Sequence, residues 1–74
     1  MKQKDLERIS DTANFYSNQA EEYIKESERY ELENDSDSAM LCLLEALKLR
    51  MMASQVYVDA IEVLIEENEI KNKY

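Results

Sequence analysis

Between Ala39 and Ile65 the apolar residues recur every seven positions, and alanine occupies one position of each repeat. At helical spacing this pattern predicts a helix buried over more than half of its circumference, which one neighbouring helix cannot cover. The columns, apolar except for Arg50, are Ala39, Ala46, Ala53 and Ala60; Cys42, Leu49, Val56 and Val63; Leu43, Arg50, Tyr57 and Leu64; and Leu44, Met51, Val58 and Ile65. The remaining strip, polar except for one methionine, is Glu45, Lys48, Met52, Gln55, Asp59, Glu62 and Glu66.

The first half of the chain carries a narrower apolar stripe with alternating steps of three and four residues. This a/d pattern predicts a helix over about 5–33 that packs as in a coiled coil. Phe15, Ile24 and Leu32 lie outside the stripe. Glu21 and Lys25 are expected to form a favourable i,i+4 ion pair. The stripe comprises Leu6, Ile9, Ala13, Tyr16, Ala20, Tyr23, Ser27 and Tyr30.

One short polar segment interrupts the helical pattern, and we expect a link at 34–36. The chain contains no glycine and no proline, so Asn34 is the residue suited to the left-handed conformation that ends a helix. Asp35 or Ser36 then caps a second helix over about 37–70. The prediction is one all-α domain spanning 1–74, an antiparallel hairpin of two long helices.

The small columns of the two helices, Ala13, Ala20 and Ser27 on the first and Ala39, Ala46 and Ala53 on the second, are expected to face each other. This leaves large apolar residues of the second helix uncovered. Two hairpins could pair about a two-fold axis into a four-helix bundle, which would make the protein a homodimer. Alternatively, a break near Ala53 or Ser54 would give a three-helix bundle. We prefer the dimer because nothing between Met51 and Val58 breaks a helix. The predicted oligomer interface is Leu44, Leu47, Met51, Val58, Ile61 and Ile65.

Composition also favours self-association, since a chain of 74 residues is near the size at which a single core is only marginally sufficient. One cysteine cannot form an intrachain disulfide. The net charge of −8 argues against binding to nucleic acid or anionic membranes and allows a protein partner with a basic surface. With no apolar leader, no membrane-spanning stretch and a lone thiol, a cytoplasmic location is expected.

Enzyme chemistry lacks its usual components in this sequence. There is no histidine to act as a general base and no glycine-rich phosphate loop. Cys42 lies in an apolar column and is expected to be a buried, inert thiol. We therefore expect a non-catalytic protein without metal or cofactor. Core filling is expected for Met40 and Met51.

From Tyr23 to Met51 the spacing resembles one tetratricopeptide repeat, a helix-turn-helix interaction unit. The matching residues are Tyr23, Ser27, Tyr30, Ala39, Leu43 and Ala46, whereas Glu26, Asn34 and Met51 depart from the motif. The resemblance covers less than half of the chain. It implies a helical hairpin with a protein-binding role and transfers no ligand residues. The hairpin also resembles the repressor-of-primer dimers, although the basic face needed to bind RNA is missing.

Two functions remain open at this point. The first is a self-associating regulatory or protein–protein interaction module, with Phe15 and Met52 as contacts to a partner protein. Met52 is chosen because it interrupts the polar strip. The second is an acidic inhibitor that occupies a nucleic-acid-binding protein surface with spaced carboxylates. Salt would weaken binding in the second mode far more than in the first.

Overall fold

The computed structural model describes residues 2–73, and side chains are described for residues 2–70. Two helices, α1 (Gln3–Leu32) and α2 (Ser36–Lys73), pack against each other as an antiparallel hairpin, and this part of the chain contains no strand. The Cα atoms extend over 62 × 19 × 8 Å, so the molecule is a thin two-helix slab. The predicted hairpin is confirmed. The alternative of a break is wrong, because α2 is continuous across Ala53 and Ser54.

The link between the helices satisfies the backbone groups of both helix ends. Asn34 takes the left-handed conformation, with φ at 62°. Its N–H donates to the Glu31 carbonyl (3.0 Å), and the Asp35 N–H donates to the Tyr30 carbonyl (2.9 Å). These two bonds form a Schellman motif that closes α1. Asp35 then begins α2 as its N-cap, because its Oδ1 accepts the Ser38 backbone N–H at 3.1 Å.

The interior of the hairpin is built from small side chains. Both small columns are buried, and Ala20, which is fully buried, clusters with Ala46 and Leu49. The buried Ser27 hydroxyl is satisfied locally, since it donates to the Ile24 carbonyl at 2.6 Å. Alanine and serine therefore supply most of the core, and Leu49 is its one large residue among the described side chains. The buried set is Ala13, Ala20, Ser27, Ala39, Ala46, Leu49 and Ala53.

Three details differ from the sequence-based expectations. Ile24 is partly buried against the core cluster; it lies one turn after Ala20 and so flanks the same face. Glu21 pairs with Arg50 of the opposite helix at 3.7 Å, whereas the nearest carboxylate of Lys25 is that of Glu22. The expected Glu21–Lys25 pair is therefore replaced, because the neighbouring helix offers Glu21 a second cation that the sequence alone does not reveal.

Candidate functional site

The face of α2 directed away from α1 is a continuous apolar surface. All six residues of the predicted oligomer interface lie on it, and they are between 43% and 65% exposed. Large apolar side chains at this exposure over several helical turns are unusual for a monomer and are typical of association sites. The structure places Leu44, Leu47, Met51, Val58, Ile61 and Ile65 together on this one side of α2.

Two further residues complete the pattern of this surface. Met40 is 57% exposed and lies one turn before Leu44, and Ser54 is exposed between Met51 and Val58. With them the surface becomes a second heptad row, in which steps of four and three residues alternate without interruption. We call this row the outer row; it comprises Met40, Leu44, Leu47, Met51, Ser54, Val58, Ile61 and Ile65. The outer row could have been recognised in the sequence, because a second alternation of four- and three-residue steps begins at Met40, one position after the alanine column that begins at Ala39.

The row of α2 that packs on α1 is the one that contains the heptad-spaced alanines. We call it the inner row; it comprises Ala39, Cys42, Ala46, Leu49, Ala53, Val56, Ala60 and Val63. At 100° per residue the centres of the inner and outer rows lie about 150° apart around α2. The helix thus carries two nearly opposite apolar faces, and α1 covers only one of them. Met40 and Met51 were expected to fill the core. Neither contributes to the core of the hairpin, because both belong to the exposed outer row.

The two residues predicted to contact a partner lie in different surroundings. Met52 is 37% exposed and lines an open groove of about 390 Å³ together with outer-row residues. Phe15 is 57% exposed on α1, and its ring makes an edge-to-face contact with Tyr16, with centroids 5.7 Å apart. Met52 therefore borders the outer row. The other residues that line the groove are Leu44, Leu47, Lys48, Met51 and Gln55.

Exposed charges surround these apolar features. Two ion pairs join residues within α1, Lys25–Glu22 at 3.7 Å and Arg29–Glu26 at 3.0 Å. Exposed pairs of this kind contribute little to stability. The negative charge of the Glu26 carboxylate is the main cause that raises the pKa of Arg29 above its ordinary value, and a hydrogen bond with Tyr30 is the second cause.

The pKa of Asp35 is lowered by its hydrogen bonds with the Ser38 side chain and backbone. The structure therefore assigns this carboxylate a helix-capping role.

Residues suited to other chemistry are few in the described part of the chain. Cys42 is partly buried in the inner row. Within residues 2–70, no group of three or more potential ligands lies close enough to hold a metal ion. Neither helix, over its described length, is apolar enough to cross a lipid bilayer.

Comparison with known proteins gives no match: no protein-family model, curated protein or solved structure is significantly similar to this chain. The resemblance to a tetratricopeptide unit thus gains no support beyond the helical hairpin itself.

Proposed function

We propose that this chain is a small non-catalytic interaction module that associates with itself through the outer row and binds another protein. The observation that supports the proposal is the uncovered apolar face of α2, opposite the face that packs on α1. Such a face is stabilised when a second apolar surface covers it. Two hairpins joined about a two-fold axis would place the α2 helices at the centre and the α1 helices outside.

The thin core of the hairpin supports the same proposal. Its buried residues are mostly alanine, which removes little apolar area from water compared with leucine or methionine. Domains of this size commonly need a further source of stability, and association is one such source. Burial of the outer row would give each copy the large apolar side chains that its own core lacks.

Sedimentation equilibrium with matched leucine variants tests the proposal. Leu47→Glu places a charge in the outer row, whereas Leu32→Glu makes the same change at an 86% exposed leucine outside the row. We expect a dimer for the wild type and for Leu32→Glu. Leu47→Glu should weaken dimerisation by about 1,000-fold, because two-fold symmetry puts two buried carboxylates into one interface. A monomeric wild type, or equal behaviour of the two variants, would contradict the proposal.

The second part of the proposal is a protein partner that contacts Phe15 and Met52. Both residues are large and apolar, are partly exposed, and lie outside the outer row. Methionine adapts to different partners, and aromatic side chains often anchor interfaces. We place this activity in the reducing cytoplasm, where a lone free cysteine is stable. If the affinity of an identified complex falls steeply with salt, the acidic-inhibitor mode is favoured instead.

A further inference from the structure

The outer row also specifies how two copies would meet. We infer that α2 packs on α2 of a second copy in antiparallel orientation. In the proposed register the sequence numbers of two facing residues add up to 105. The four helices of the dimer then form a nearly flat row. This inference rests on the self-association proposed above and adds its geometry. The facing pairs would be Met40 with Ile65, Leu44 with Ile61, Leu47 with Val58, and Met51 with Ser54 of the second copy.

Side-chain volume favours the antiparallel orientation. Ser54 is the smallest residue of the row. In the antiparallel register Ser54 of each copy lies opposite Met51 of the other copy, and the flexible methionine side chain can fill the remaining space. A parallel pair would instead place Ser54 opposite Ser54, leaving a polar void between two layers of methionine and valine. Antiparallel packing thus gives a filled centre, with the two-fold axis between Met52 and Ala53.

Charge also favours the antiparallel orientation. Lys48 lies on one flank of the outer row, where the register places it between Gln55 and Glu62 of the second copy. The acidic ends of the two α2 helices, from Glu62 to Glu69, then lie at opposite ends of the pair. A parallel pair would bring these like charges together and would leave Lys48 beside Leu43.

The choice of register follows from the length of the row. Only the sum of 105 gives all eight residues of the outer row a partner within the row. A shift by one heptad in either direction leaves six paired layers and places Ile61 opposite Asp37, or Leu44 opposite Asn68. Either shift would bury a polar side chain against an apolar one. The full row spans about 38 Å along the helix axis.

The available area is sufficient for such a pair. A buried Leu, Ile, Val or Met side chain removes on the order of 100 Å² from water. The apolar residues of the outer row and its flanks are each about half exposed, which amounts to roughly 600 Å² per copy. The pair would therefore bury on the order of 1,200 Å², above the roughly 1,000 Å² expected of a specific interface. The flanking residues are Leu41, Leu43, Tyr57 and Leu64.

The angle between the two rows of α2 determines the shape of the assembly. Helices that pack on faces about 150° apart form a nearly flat row, with the two α1 helices at the outer edges. A square bundle would need a second face about 100° from the inner row. The residues in that direction include Leu43, Tyr57 and Leu64, but also Arg50, which is paired with Glu21. The flat row buries the more apolar of the two faces.

Cysteine crosslinking in a Cys42→Ala background tests the register. A chain with Leu47→Cys is mixed separately with chains carrying Val58→Cys, Met51→Cys or Ile65→Cys, and each chain is also oxidised alone. Circular dichroism verifies that each variant is helical. Disulfides require Cα atoms within about 7 Å, so we expect a mixed disulfide with Val58→Cys and little with the other two.

The remaining outcomes separate the register from the association itself. Self-crosslinking of Leu47→Cys would indicate a parallel pair, and crosslinking to Met51→Cys or Ile65→Cys would indicate a shifted register. Each would overturn this inference and leave the proposed dimer intact. A monomer by sedimentation equilibrium in the Cys42→Ala background would overturn both proposals.

A distance measurement between spin labels tests the flat row. Asn18 is exposed on α1, and the packing of Ala20 on Ala46 and Leu49 sets it within about one helical turn of the level of the two-fold axis. With helix axes 8–10 Å apart, the α1 axes of a flat row would be separated by about 25 Å, compared with at most about 14 Å in a square bundle. Labels at Asn18→Cys in the Cys42→Ala background should therefore give the longer distance. The shorter distance would overturn the flat arrangement.

Discussion

The two apolar faces of α2 carry different side chains. The inner row alternates alanine with cysteine, leucine or valine, and from Ala39 to Ala53 all of its residues except the partly buried Cys42 are buried against α1. The outer row carries leucine, isoleucine and methionine, yet these side chains are about half exposed. The larger apolar residues of α2 thus lie on the face that its own hairpin does not cover.

This difference indicates what each face provides. Small residues allow two helix axes to approach closely, which fixes the geometry of the hairpin. They bury little apolar area, however, and area is the main source of hydrophobic stabilisation. The inner row therefore specifies how α1 lies on α2, whereas the outer row holds large apolar side chains of α2 that are exposed. Substitutions on the two faces test this division, and substitutions at the link and at the proposed partner contacts provide smaller effects for comparison.

The two largest effects are expected on the inner row, and the first of them concerns an enlarged alanine. Ala46→Leu inserts three extra carbon atoms at a 3% exposed position next to Ala20. We expect a loss of about 1–3 kcal/mol in the free energy of unfolding, enough to unfold much of a marginally stable hairpin. Urea denaturation followed by circular dichroism measures this loss. Asn18→Leu, at an exposed position of α1, should be nearly neutral and serves as the control. If Ala46→Leu is as stable as the wild type, the alanines of the inner row do not require close packing.

The next effect compares two leucines on opposite faces of α2. Leu49→Ala removes the largest buried side chain of the inner row and should cost about 2–4 kcal/mol at every protein concentration. Leu44→Ala should be almost neutral in dilute, monomeric protein and should become destabilising as the concentration rises. Melting curves over a hundredfold range of concentration distinguish the two. Equal concentration dependence of both variants would contradict the division between the faces.

A smaller effect is expected at the link that joins the helices. Asp35→Ala removes the cap of α2 and should lower the Tm by about 5 °C at neutral pH. Because folding lowers the pKa of Asp35, its charge contributes stability above the ordinary pKa of about 3.9, and this contribution is lost as the pH falls through the lowered value.

Asp35→Asn separates the cap from its charge. Asparagine can still cap the helix without ionising, so its Tm should approach that of the wild type as the pH falls below about 4. Asp37→Asn serves as the control for loss of one negative charge near the same helix end. A constant difference in Tm between Asp35→Asn and the wild type from pH 6 to pH 2 would show that ionisation of Asp35 does not contribute.

The smallest effect on folding is expected for the proposed partner contacts. Phe15→Ala and Met52→Ala remove exposed side chains outside both rows, so melting and dimerisation should change little. The affinity for an identified protein partner should fall by about tenfold or more. Calorimetry with that partner, alongside Leu32→Ala as a matched exposed control, measures the loss. If either variant unfolds the protein, the residue belongs to the fold and is not a partner contact.

Much of the fold follows from the sequence alone. The heptad spacing of the alanines predicts the inner row, and the absence of glycine and proline leaves Asn34 as the residue that ends α1. Asp35 was one of two expected caps, and only the hydrogen bond to Ser38 distinguishes it from Ser36. These features are local, since they depend on side-chain periodicity and on the conformations that single residues allow.

The tertiary structure decided which apolar residues α1 could cover. Periodicity alone left a break near Ala53 possible, because a helix folded back over the outer row would also have buried it. The continuous α2 leaves Leu44, Leu47 and Met51 exposed, and the neighbouring helix draws Glu21 towards Arg50 and buries part of Ile24. Such contacts depend on where a second helix lies, and its position is set by the close packing of Ala20 with Ala46 and Leu49.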